Sequence, residues 1–262
     1  MKSRFLFGVL VLVVSSSLAA GPIDLRRIML QFDEAYIPLW FFAEAGDLEN
    51  AQTAWATADQ RWQRLEQTLH LVLPEGVWED HLERAEGWLA DAQTGMEANR
   101  LDLATVSLEH ARFELIALRK SLGMVDYFPD QLYQLHANLD LLAEIAEDPK
   151  LCLLEWNEVE QLIHKAVADW HHTRAIPTDW MHRPDNKEEG QLWTSHYEQI
   201  NFGFQAILAA HNTGQQDILA RTITRTDAAV LALIYAIGEP RPAAVFYAPA
   251  PGADEQNTSK TF

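Results

Sequence analysis

The chain has 262 residues, with 38 Asp and Glu against 20 Lys and Arg, a formal charge of −18 and one cysteine. Such a surface repels nucleic acid and anionic lipid head groups, and a single thiol excludes an internal disulfide. Stability must therefore come from the core, and a chain of this length can bury one large core or two modest ones.

The first twenty residues read as an export signal. Lys2 and Arg4 form a short basic region, Phe5 to Val14 is apolar, and Ser15 to Ala20 supplies the small residues of a cleavage site after Ala19 or Ala20. The apolar run falls short of the about 20 residues that a helix needs to span a bilayer. No cysteine lies near the cleavage point, which disfavours a lipid anchor. The expected product is periplasmic or secreted, without a transmembrane span. Cys152 sits in an apolar Leu-Cys-Leu-Leu run and reads as an inert buried thiol.

From residue 24 onward the apolar residues recur at helical spacing, and no segment alternates as a strand does. Leu48, Ala51, Trp55, Ala58, Trp62, Leu65 and Leu69 follow one face, and Leu103, Val106, His110, Phe113 and Ala117 predict another. Gly46-Asp47, Pro74-Glu75-Gly76, Asp148-Pro149 and Asn212-Thr213-Gly214 carry the chemistry of helix stops and starts. Eight helices are predicted, roughly at 24–45, 48–72, 77–98, 100–122, 129–147, 150–174, 188–212 and 214–237, the first kinked or split at Pro38. The longer connection at 175–187 has the length of a functional or mobile loop. The tail at 241–262 is rich in Pro and Ala, then polar, and is expected to be disordered.

The chain also reads as duplicated. A shift of 115 residues lays 77–123 on 192–238, matching Trp78 with Trp193, His81 with His196, Glu83 with Glu198, Asp102 with Asp217 and Gly123 with Gly238. The earlier helix pair matches more loosely, through Asp33 to Tyr36 against Asp130 to Tyr133, and Trp62 against Trp170. The fold class is therefore all-α, with two tandem antiparallel (up-down) four-helix units at 21–123 and 124–240 following a signal peptide at 1–20.

In an up-down unit the starts of helices one and three share an end with the finishes of helices two and four. One such end gathers Asp33, Tyr36, His81 and Trp62, and the other Asp130, Tyr133, His196 and Trp170. An acid, a phenol and an imidazole placed together form either a hydrogen-bonded network that fixes helix register or a binding site. His110, on its expected apolar stripe with Glu114 one turn on, and His136, with Asp140 one turn on, are candidate inward histidines that meet across the seam between the units. His171 and His172, with His182 in the following loop, are the best metal-ligand candidates, of a type suited to copper or zinc. Nine tryptophans are many for this length; helix-contact roles are the ordinary reading, and a Trp-lined ligand groove is the alternative.

A signal segment followed by four-helix units resembles two exported families in outline, the cytochrome c′-like bundles and the imelysin-like proteins. The Cys-x-x-Cys-His of the first and the Gly-x-His-x-x-Glu of the second are both missing from this sequence, so neither lends it a site. Glu-x-x-His, Gly-x-Ser-x-Gly, Walker-type glycine loops and His-Glu-x-x-His are missing too. The leading expectation is an exported, non-catalytic helical binding or accessory protein of the cell envelope. Its partner would be a protein or small molecule and not nucleic acid, and no cofactor is required. A metal or non-covalent haem carrier using the histidines, and an enzyme with an Asp/Tyr/His site, are the alternatives.

Overall fold

The computed structural model of the chain describes residues 24–147, 153–178, 181 and 187–238; within these residues it holds eight α-helices and no strand. The signal segment, Asp148-Pro149, Cys152, His182 with much of the 175–187 connection, and the tail at 241–262 lie outside the described residues. The helices are α1 (Leu25–Glu44), α2 (Leu48–Val72), α3 (Trp78–Glu97), α4 (Leu101–Ser121), α5 (Phe128–Glu147), α6 (Leu153–Thr173), α7 (Lys187–Asn212) and α8 (Gln216–Tyr235).

Local chemistry accounts for the boundaries. Asp24 caps α1 by accepting from the Arg26 and Arg27 amides, and Asp47 caps α2 by accepting from Asn50 N at 3.2 Å. The turns after α1, α4 and α7 hold Gly46, Gly123 and Gly214 at φ of 74°, 77° and 65°, the left-handed conformation that closes a helix. The expected split at Pro38 does not occur. Pro38 is buried within one unbroken helix, and its ring packs against Gly238 just beyond α8, where an added Cβ would lie 3.0 Å from Pro38 Cδ.

The strongest packing joins α3 to α4, α1 to α2, α5 to α8 and α7 to α8; α1 also touches α4 and α8. By contrast α2 meets α3, and α6 meets α7, only sparsely. One continuous apolar cluster draws residues from all eight helices. Helix α1 is its axis, with Met29, Phe32, Ala35, Tyr36, Ile37, Leu39, Trp40 and Ala43 all buried, as expected of a helix apolar on nearly every side.

One stripe expected from the sequence faces the other way. Leu103, Val106 and Phe113 are 50%, 54% and 56% exposed, and His110 is exposed beside them. The buried face of α4 carries Ala104, Ser107, Leu108, Ala111, Arg112, Leu115, Leu118 and Arg119. Close helix approach explains the inversion. At Gly95 of α3 an added Cβ would stand 2.9 Å from Ala104 N, so α4 must turn its small residues inward, and bulkier ones are driven outward. The same rotation carries two arginines, one turn-pair apart, into the interior.

Candidate functional site

The first of those arginines to be fully enclosed is Arg119, 1% exposed in the last turn of α4. Its Nη2 donates to Asp33 Oδ1 of α1 at 2.6 Å, and its Nη1 donates to Asp130 Oδ1 in the first turn of α5. Tyr127 donates its hydroxyl to the other Asp33 oxygen at 2.6 Å, and the guanidinium lies 4.5 Å from the centre of the Tyr127 ring. Two carboxylates thus share one cation in a dry setting. Burial pushes the Asp33 carboxyl up despite Arg119, and pushes Asp130 up to about 6. Burial likewise raises the Tyr127 phenol well above its usual range.

The sequence placed Asp33 and Asp130 in separate, equivalent groups. The structure instead brings them together at Arg119. Two acids from helices far apart in the chain, α1 and α5, thus converge on one counter-charge at the end of α4.

Two turns back on the same face of α4 stands Arg112, 6% exposed. Its Nη2 pairs with Glu109, and its guanidinium lies 4.5 Å from the centre of the Tyr133 ring, 5.6 Å from Trp40 and 5.4 Å from Phe113. Tyr36 donates to the Leu108 carbonyl at 2.5 Å, which ties α1 to α4. His136 Nδ1 lies 2.7 Å from Asp227 Oδ1 of α8. Burial opposes the charge on this imidazole, but the Asp227 carboxylate outweighs burial and holds its pKa above the ordinary value. Glu44, hydrogen-bonded to Tyr235, is pushed up by its own burial. Asp33, Tyr36, Asp130, Tyr133 and His136 therefore belong to one polar seam along α1, α4, α5 and α8.

The other expected site residues stand apart from that seam. His81 Nδ1 lies 2.8 Å from Glu114 Oε2, with Arg84 on the same carboxylate. His110 stacks on Trp88 on the outer surface, rings 4.4 Å apart, so it does not meet His136. His196 is buried on α7, where desolvation lowers its pKa. His171 is exposed, and His172 lies 3.1 Å from Asp126. Among the described residues no group of three or more His, Cys, Asp or Glu is placed to hold a metal ion.

The concave site lies elsewhere, where α2 and α3 pack sparsely. A groove of about 220 Å³ opens between them, floored by Phe32 of α1. Trp55, Asp59, Trp62 and Glu66 line it from α2; Glu86, Leu89 and Gln93 line it from α3. The α2 residues are spaced four, three and four apart, so aromatic rings and carboxylates alternate along one helical face. Trp62 is 5% exposed, sets its ring edge against Phe32 at 5.4 Å, and its indole N–H has no hydrogen-bond partner among the described residues.

In the second half the residues that correspond in sequence are paired differently. Trp170, matching Trp62, donates its N–H to Asn201 at 2.8 Å, and Arg174 donates to the same oxygen at 3.2 Å. In the 115-residue register Asn201 replaces Glu86, and the larger Phe204 replaces Leu89. In the register that pairs the two tryptophans, Ile163 replaces Trp55, Val167 replaces Asp59 and Arg174 replaces Glu66. Compared with models of known protein families, with curated proteins and with solved structures, the chain shows no match.

Two measurements check the seam. Arg119→Met strands two buried carboxylates and is expected to destabilise by about 3–5 kcal/mol, whereas Asp130→Asn leaves a neutral Asp33–Arg119 pair and should be markedly milder; urea unfolding of both variants decides this. The folded state also holds protons more tightly than the unfolded chain at Asp33, Asp130, Glu44 and His136. For Asp130 that contribution is complete below 3.8 and is lost as pH rises through about 6. His196, with its lowered pKa, acts in the opposite sense to His136, and the lowered Glu114 and Asp102 matter only in more acidic solution. The melting temperature should therefore be higher near about pH 5.5 than near about pH 8, and Asp130→Asn should flatten the difference.

Proposed function

We propose that this chain is an exported, non-catalytic binding protein built of two tandem up-down four-helix units, with its ligand site in the α2–α3 groove. The observation that carries the reading is the groove itself, a cavity between α2 and α3 lined by Trp55, Asp59, Trp62, Glu66 and Glu86. The corresponding Trp170 bonds Asn201 through its N–H, whereas the Trp62 N–H at the groove has no partner among the described residues.

The polar seam acts, in this reading, as the frame that holds the groove. Asp33 lies one residue from Phe32, the floor of the groove, and Arg119 anchors that stretch of α1 from the opposite side. Export rests on the sequence of residues 1–20. The groove is smaller than the about 300–1,000 Å³ typical of drug-sized ligands, so the ligand is small.

The test is native mass spectrometry of untagged protein taken from the cell envelope. A single small-molecule adduct should accompany the wild type and be lost from Trp55→Ala, with helicity unchanged by circular dichroism. An adduct retained by Trp55→Ala would place the ligand elsewhere.

A further inference from the structure

The groove's lining also specifies the class of ligand, an inference that rests on the α2–α3 groove being the binding site. Asp59, Glu66 and Glu86 stand on its walls, and no Lys, Arg or His is among the described residues that line it. Trp55, half-buried, adds an accessible indole, while Trp62 and Phe32 line the groove with almost wholly buried rings. The negative faces of aromatic rings attract a cation, and indole does so best. Carboxylates in a partly enclosed site add to the same field, because screening by water is weaker there than on an open surface.

The second half supplies the contrast. There the matching positions carry Val167, Arg174 and Asn201, so the three carboxylates are not repeated. Residues kept acidic merely for solubility would have no reason to cluster against two tryptophans. A bare metal ion is a poor fit for the site, since among the described residues no group of three or more His, Cys, Asp or Glu is placed to hold one. An anion would meet three carboxylates and no base.

We propose that the α2–α3 groove binds a small organic ammonium ion, with its alkyl groups against Trp55 and its charge facing Asp59, Glu66 and Glu86. Charge and apolar surface are both required. A neutral molecule of the same shape keeps only the apolar contacts, and an inorganic cation keeps only the charge.

Isothermal titration of the purified protein with choline tests this, alongside its uncharged carbon isostere 3,3-dimethylbutan-1-ol. Choline should bind saturably, at least about tenfold more tightly than the isostere, and more weakly as salt is raised. The double variant Glu66→Gln/Glu86→Gln should lower choline affinity by about tenfold or more, while leaving the isostere unaffected. Arg174→Gln, at the matching position in the other half, should change neither. Isostere binding as tight as choline overturns the ammonium assignment but keeps the groove as a binding site. Failure of both to bind at millimolar concentration overturns the ammonium assignment and removes support for the groove as well.

Discussion

Everything in this structure is arranged around a guanidinium that water does not reach. Removing an arginine and two aspartates from water is unfavourable by several kcal/mol per ion, and only close, well-oriented pairing offsets it. Arg119 meets that requirement by bridging Asp33 of α1 and Asp130 of α5, with Tyr127 completing the hydrogen bonding of Asp33. Because the acids sit on different helices, the cluster is satisfied in only one alignment of α1, α4 and α5. An apolar core tolerates small slides between helices, whereas a buried ionic cluster does not. The neighbouring Arg112, Tyr133, Trp40, His136 and Asp227 extend the same seam toward α8.

The seam also explains how a groove can persist between α2 and α3. Two helices that barely touch would normally close on one another and cover Trp55, which is only half-buried here. Here α2 is held by its extensive contact with α1, and α3 by its close crossing with α4 at Gly95. Since α1 and α4 are themselves joined by the Arg119 cluster and by the Tyr36 bond to Leu108, the outer helices are carried on a fixed inner pair. The opening is a consequence of strong packing elsewhere. In the second half Trp170 of α6 is bonded across to Asn201 of α7.

The helices were legible because their signals are local: periodicity over many turns, Asp24 and Asp47 as caps, and glycines at the stops. The facing of α4 was not. Its apolar residues suggest one stripe, but the close approach at Gly95 demands small residues, a constraint set by a different helix. Asp33, Tyr36, Asp130, Tyr133 and His136 were recognisable as polar groups in apolar surroundings, yet their true partners were hidden. Arg112 and Arg119 lie two turns apart on a face also bearing Leu108, Leu115 and Leu118, and that pattern was the available clue. The groove had a clue as well, in the alternation of Trp55, Asp59, Trp62 and Glu66 along one face of α2. Helical spacing alone cannot distinguish a face that packs from one that stays open, since that depends on how far α3 stands away.

The inner helices thus hold the α2–α3 groove open for a small ligand. A crystal structure of the protein grown with choline tests it most directly. The ammonium group is expected against Trp55, facing Glu66 and Glu86, with the Trp170–Asn201 junction unoccupied. Choline seated at the second-half junction, or in both halves alike, would contradict it.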